Sequence, residues 1–244
     1  MSARPISRRE FLAAGLGWFP FFWRKRTLAI AGMRFRIQRH GRSSRRYLWI
    51  HGDERTARDV LLKHLETARG TAFLTTSAAR QFGLSGGRID PNRMFSRPGA
   101  AANLKTLNPQ WGPGQTVAAL DRLDRERERF VRSILPPAGG LLIAVHNNSR
   151  GYSVRDEVPI SDRASLPEPE HPNNFMLATD PADFERLARS PYNVVLQNIA
   201  PKDDDGSLSR LAAKRGVRYV HIEAALGQFE RQREMLAWVE TNLP

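Results

Sequence analysis

Three short strand-like runs constrain what this chain can fold into. Tyr47–Ile50 ends in His51, Leu141–Val145 ends in His146, and Arg218–Ile222 ends in Glu223. Each has the length and branched or aromatic content of a buried strand. Between them run segments of helical periodicity: 54–69 with apolar residues at Ala57, Val60, Leu61 and Leu65, then 115–135, and 208–215. Strands alternating with helices predict a single α/β domain, with a mixed, mostly parallel sheet covered by helices on both faces. Further strands are expected at 33–38, 72–76 and 193–197. Further helices are expected at 183–189 and 228–239. The Gly-, Pro- and Arg-rich segment 81–107 reads as a long loop, and loops of that length in compact domains are usually functional. The polar stretch 149–171 reads as a lid.

Charge and composition narrow the function classes. The net charge is +13, but residues 1–46 hold 12 Lys/Arg and one acid, leaving the remainder near neutral. A basic nucleic-acid surface is therefore not expected on the body of the protein. There is no cysteine, so any metal must be held by His, Asp or Glu.

The N-terminus reads as an address. Arg8-Arg9 precede Phe11-Leu12 and an apolar stretch to Trp23, too short to span a bilayer as a helix. This resembles a bacterial twin-arginine export signal. Ala29-Ile30-Ala31 is a small-residue cleavage candidate, although Arg24-Lys25-Arg26 stands just before it. The expectation is a signal segment over 1–31 and a domain over 32–244. The protein would be exported to the periplasm or beyond by the twin-arginine machinery, or anchored in the membrane if left uncleaved.

The strand ends carry the chemistry. In open α/β sheets ligands bind beyond the carboxyl ends of the strands, so parallel neighbours would bring His51, His146 and Glu223 together. Glu54 follows His51 by three residues across Gly52, a spacing that a tight turn can aim at one point. His51, Glu54 and His146 make a three-ligand set suited to one Zn2+ with an open position for water. A carboxylate outside that set is needed to take a proton, and Glu223 is the candidate. His221 lies two residues before Glu223, on the same face of the strand. In Arg88-Ile89-Asp90-Pro91-Asn92-Arg93, Arg93 and Asn92 can bind a carboxylate, and Asp90 can hold a ligating histidine or the arginine.

This order of motifs over 47–225 resembles the zinc carboxypeptidase superfamily, which includes the succinylglutamate desuccinylase and aspartoacylase branch. The resemblance implies a mixed eight-stranded sheet and hydrolysis of an amide bond next to a free carboxylate. It also implies Zn2+ on His51, Glu54 and His146, substrate carboxylate on Asn92 and Arg93, and Glu223 as general base. Arg88 is the candidate for an additional, carbonyl-polarising arginine, and Tyr152 or Tyr192 for a mobile tyrosine. The expected substrate is a peptide or an N-acyl amino acid with a free carboxylate. A carboxypeptidase or peptide amidase and an N-acyl amino acid deacylase both fit this pattern, as does a non-catalytic binding protein on the same fold.

Overall fold

The computed structural model describes residues 26–148, 151–199 and 203–244. The paired arginines and the apolar stretch of the N-terminus lie outside these. Eleven strands and seven α-helices are numbered here in chain order.

Nine strands form one sheet. It comprises β1 (Arg26–Ile30), β2 (Met33–His40), β3 (Arg46–Trp49), β4 (Gly70–Thr75), β7 (Leu142–Asn148), β8 (Arg163–Ser165), β9 (Phe175–Ala178), β10 (Asn193–Leu196) and β11 (Tyr219–Ala225). The spatial order is β1-β2-β4-β3-β7-β11-β9-β10-β8. The central block β4-β3-β7-β11 is parallel throughout. β2, β9 and β10 run opposite to the other six strands, so the sheet is mixed. It has nine strands where the resemblance implied eight.

Alternation along the strands divides the core in two. Leu142 and Ala144 face one side, with helices α2 (Arg97–Leu107), α3 (Pro113–Ile134) and α6 (Leu208–Lys214). Leu141, Ile143 and Val145 face the other, with α1 (Arg55–His64), α5 (Pro181–Leu187) and α7 (Phe229–Asn242). Helices therefore cover both faces, as the alternating pattern predicts.

Three stretches differ from the sequence reading. The segment read as one loop over 81–107 contains a hairpin, β5 (Phe82–Leu84) with β6 (Gly87–Ile89), a 3-10 turn over Pro91–Arg93, and α2. Arg97-Pro98-Gly99 looks like a turn. However, Ser96 caps the helix by accepting from the Gly99 N–H at 3.2 Å, and proline is tolerated in a first turn. Leu104 and Ala100 then bury that helix in the core.

The second difference is within 149–171, which holds a short helix α4 (Val154–Glu157) and the edge strand β8. The third is at the start of the domain. β1 pairs with β2 along its length, and Ile30 and Ala31 are buried. The sheet thus takes in residues placed by the sequence before the boundary at 32, and removing them would strip an edge strand. Among the described residues no helix is long and apolar enough to cross a membrane.

Candidate metal centre

The register of two strands builds half of the site. On parallel β7 and β11, His146 and Glu223 are direct partners. Both continue the face that carries Leu142, Ala144 and Tyr219, because side chains on one face recur every second residue. His221 shares that face, and its ring stacks on His146 at 4.3 Å between centroids.

The other half comes from the turn after β3. Trp49 Nε1 donates to the Glu54 carbonyl at 3.0 Å, and the Gly52 N–H donates to the Ala79 carbonyl at 3.1 Å. These bonds pin the turn against the segment that follows β4. Glycine is required at position 52 by close approach, since a Cβ there would sit 2.1 Å from the Ser77 carbonyl oxygen. Behind His146, Gln232 Nε2 donates to its carbonyl at 2.6 Å, while Gln232 Oε1 accepts from Asn147 Nδ2 at 3.0 Å. Asn147 Oδ1 in turn accepts from the Ala57 N–H, which fixes the start of α1. The backbones bearing all three candidate ligands are thus cross-braced.

His51, Glu54 and His146 converge, with their ligand atoms all within 4.8 Å of one another. All three are at most 3% exposed. His51 Nδ1 lies 2.8 Å from Glu54 Oε1 and 3.3 Å from His146 Nδ1. His146 Nδ1 lies 3.0 Å from Glu54 Oε2, yet that oxygen is buried and accepts no hydrogen bond among the described residues. A buried carboxylate with one imidazole nitrogen close to each oxygen, and with its Oε2 left without a hydrogen bond among the described residues, offers the donor set that a cation satisfies. His51 Nε2 faces Asp90 Oδ1 at 2.8 Å, leaving Nδ1 to the cluster. A carboxylate on the far nitrogen is the usual support for a ligating histidine.

The electrostatics follow from burial and these contacts. Burial disfavours the charged form of His51, but Glu54 and Asp90 outweigh it and raise its pKa to about 9. Burial dominates at His146 and lowers it to about 4. The adjacent imidazoles hold the Glu54 carboxyl far below its ordinary value against its burial. Burial would raise the Asp90 carboxyl, but His51 above all, with Arg80, holds it at about 2. Glu223 behaves oppositely, because its burial pushes the carboxyl up although His221 Nε2 bonds it at 2.7 Å.

His146, His221 and Glu223 form a second group whose ligand atoms also lie within 4.8 Å of one another. There, however, His221 and Glu223 already satisfy each other, and the two imidazoles meet face to face at 23° rather than converging on a point. The first group is the better metal site on these grounds.

Around the clusters lies a cavity of about 300 Å³. Asn92, Arg93, Tyr152 and Glu223 line it, as the sequence reading proposed for a common site. Asn92 is partly committed, since its Oδ1 accepts from the Leu208 N–H at 3.0 Å. Arg93 is 3.4 Å from Asp205. Tyr152 donates to Glu157 Oε1. Two expectations change. Arg88 sits on the exposed side of the β5–β6 hairpin and does not line the cavity. A hairpin alternates its side chains, so the burial of Ile89 turns Arg88 outward. Tyr192 is buried in the opposite core, beneath the Arg231 guanidinium at 4.4 Å.

Besides Arg93, Arg80 and Arg210 line the cavity, neither singled out by sequence. Arg80 bonds Glu54 Oε1 at 3.0 Å and approaches Asp90 Oδ2 at 3.4 Å. It stands in an unpatterned Ser-Ala-Ala-Arg stretch that carries no local signal.

The fold and the site together define an α/β domain with two His/Glu clusters capable of coordinating a metal ion at the carboxyl ends of its central strands. Neither protein-family profiles nor curated proteins match the sequence. Among solved structures, the chain is similar to the ectoine utilization protein EutE (DoeB) from Ruegeria pomeroyi in its apo form. The TM-score is 0.45 at 15% identity, over 85% of this chain and 60% of that one. It is also similar to a protein described as a metallopeptidase from Shewanella amazonensis SB2B, with TM-score 0.45 and 14% identity over 89% of this chain and 84% of that one. A third, described likewise, is from Shewanella baltica OS155, with TM-score 0.40 and 13% identity over 86% of this chain and 80% of that one. The chain thus spans 60% of the length of the first of these. Likeness at this level leaves function to be argued from the site itself.

Proposed function

We propose that this chain is a zinc-dependent hydrolase of an amide bond next to a free carboxylate. His51, Glu54 and His146 would hold one Zn2+, and Glu223 would act as general base. The observation that carries this reading is the buried Glu54 Oε2, which faces His146 Nδ1 at 3.0 Å and accepts no hydrogen bond among the described residues. Bound zinc supplies Lewis acidity, which makes water a nucleophile near neutral pH and polarises a carbonyl.

The remaining roles belong to side chains. Glu223 takes a proton at a carboxylate oxygen and returns it to the leaving nitrogen. Its burial favours holding that proton transiently. His221 fixes the orientation of Glu223 through the 2.7 Å contact. Asp90 holds His51 with Nδ1 turned to the cluster. Arg93 and Asn92 receive the substrate carboxylate at the cavity wall. Burial of the cluster keeps bulk water from competing.

The test is Glu223→Gln assayed against a panel of N-acyl amino acids and short peptides. Zinc retained with hydrolysis lost by at least about 100-fold supports the reading. Full activity in the variant removes the proposed base. The same panel separates a peptidase from a deacylase. Export by the twin-arginine route belongs to this proposal as well, and supports an enzyme that folds and loads its metal before leaving the cytoplasm.

A further inference from the structure

The basic excess of the N-terminus continues into the folded domain. Residues 26–46 hold seven arginines and no acid. Sheet topology gathers several of them in one place. β1 runs in the direction of β4, β3, β7 and β11, and β2 runs against them. Arg26 opens β1, Arg39 lies near the end of β2, Arg42 lies in the turn to β3, and Arg69 stands just before β4. All four therefore sit at the amino edge of the central strands. The His/Glu clusters sit at the opposite, carboxyl edge.

The four arginines are exposed. A Cβ on Gly41 would lie 3.0 Å from Arg69 Cγ, so the Arg69 stem rests against the turn that carries Arg42. Arg39 and Arg46 both have Thr71 as register partner, and so flank it on one face. Arg46 is half-buried, and its Nε has no hydrogen-bond partner among the described residues. Burial, and after it Arg39, lowers the Arg46 pKa. Among the described residues, none of Arg26, Arg39, Arg42 and Arg69 forms an ion pair. The acids of this edge are engaged elsewhere, Glu240 with Arg45 and Tyr47, and Glu66 with Lys63. Like charges gathered at one edge repel one another and project a positive field that an anionic surface neutralises.

The sequence that leads into this edge selects the kind of surface. Trp18, Phe19, Phe21, Phe22 and Trp23 precede Arg24-Lys25, and Arg26 follows at once. Aromatic residues beside basic ones are the composition of a segment that lies at a membrane interface. A single-stranded nucleic acid fits less well, because no aromatic side chain of the described residues is exposed for a base to stack on.

We propose that Arg26, Arg39, Arg42 and Arg69 form a docking surface for an anionic lipid bilayer, so that the domain stands on the membrane by the amino edge of its sheet. The cavity with the His/Glu clusters then faces away from the bilayer, towards solutes in the aqueous phase. This does not depend on the hydrolase reading.

The experiment floats the full chain with vesicles of phosphatidylcholine alone, or of phosphatidylglycerol and phosphatidylcholine in equal parts. Wild type is compared with Arg39→Gln/Arg42→Gln/Arg69→Gln and with the corresponding triple lysine variant. The glutamine variant should partition onto the mixed vesicles about 10- to 100-fold more weakly, and the lysine variant should keep most of the binding. Raised salt should weaken wild type in the same way. On phosphatidylcholine alone the three proteins should behave alike. Because the chain has no cysteine, single probes report the orientation. Ser43→Cys lies in the turn beside Arg42, and Leu226→Cys follows β11 at the carboxyl edge; both positions are exposed. On mixed vesicles a fluorophore at position 43 should be shielded from an aqueous quencher, while one at 226 stays accessible.

Wild-type partitioning of the glutamine variant would overturn the assignment. So would shielding at 226 with access at 43. Duplex DNA binding more tightly than the mixed vesicles at equal ionic strength, with the same dependence on the three arginines, would mark a nucleic-acid surface and also overturn it. The glutamine variant should melt at or above the wild-type temperature, since it removes exposed like charges. If it fails to fold, the two labelled proteins, which keep every arginine, decide the question.

Discussion

Gly52→Ala tests whether the turn between His51 and Glu54 is built by close backbone approach. The added Cβ would lie 2.1 Å from the Ser77 carbonyl oxygen, 2.6 Å from its carbon and 2.8 Å from the Ala78 carbonyl carbon. All three atoms are backbone, so no rotamer change relieves the clash. Real Cβ atoms stay beyond 3.0 Å, so the turn or the strand-end segment must move by about 1 Å. The Gly52 N–H to Ala79 bond at 3.1 Å spans this same contact and would be strained or lost. Overpacking of this kind costs about 1–3 kcal/mol of stability. Ligating groups tolerate about 0.5 Å of misplacement, so zinc affinity should fall by about 10- to 100-fold. Zinc affinity is read by competition with a chromophoric chelator, and folding by circular dichroism and the melting midpoint. A Gly52→Ala protein with wild-type zinc affinity and melting would refute the argument that this contact shapes the site.

Other outcomes follow from particular contacts. Gln232→Leu removes the donor to the His146 carbonyl and the acceptor for Asn147, and should cost about 1–3 kcal/mol in chemical denaturation while weakening zinc binding; unchanged stability would show that these buried bonds add nothing. Ser96→Ala removes the α2 cap and a hydrogen bond to Asp204, and should cost about 1 kcal/mol by the same measurement. In metal-free protein the His51 pKa is raised to about 9, so its stabilisation is full below the unfolded value of about 6.5 and is lost as pH rises through about 9. Zinc uptake at pH 7.5 must displace that proton, so calorimetry in buffers of different ionisation enthalpy should show about one more proton released than at pH 10. Equal release at both pH values would show that His51 is neutral before zinc arrives.

Much of the site was legible because strand chemistry is local. An apolar run that ends in a polar residue announces a strand reaching the sheet edge, and His146 and Glu223 prove to be register partners there. Period-two spacing likewise placed His221 beside Glu223. Arg80 and Arg210 were not legible, because their importance lies in contacts across the fold. Arg80 meets Glu54 and Asp90 from an irregular segment, and Arg210 reaches the same cavity from a short helix distant in sequence. Arg88 was misplaced because sequence does not show which way a three-residue strand turns its alternate side chains. α2 was read as loop because Pro98 and Gly99 are ambiguous until the Ser96 cap and the buried Leu104 are seen. β9 was overlooked between two polar stretches, although its Phe175-Met176-Leu177-Ala178 run is fully buried.

The central claim is that His51, Glu54 and His146 hold one metal ion. Zinc content of the purified chain, by elemental analysis after exhaustive dialysis, tests it directly against His51→Ala/His146→Ala and His221→Ala. The account predicts one zinc per chain in the native sequence, none in the double variant, and one retained in His221→Ala. Stoichiometric zinc in the double variant, or zinc lost from His221→Ala while the fold persists, would contradict it.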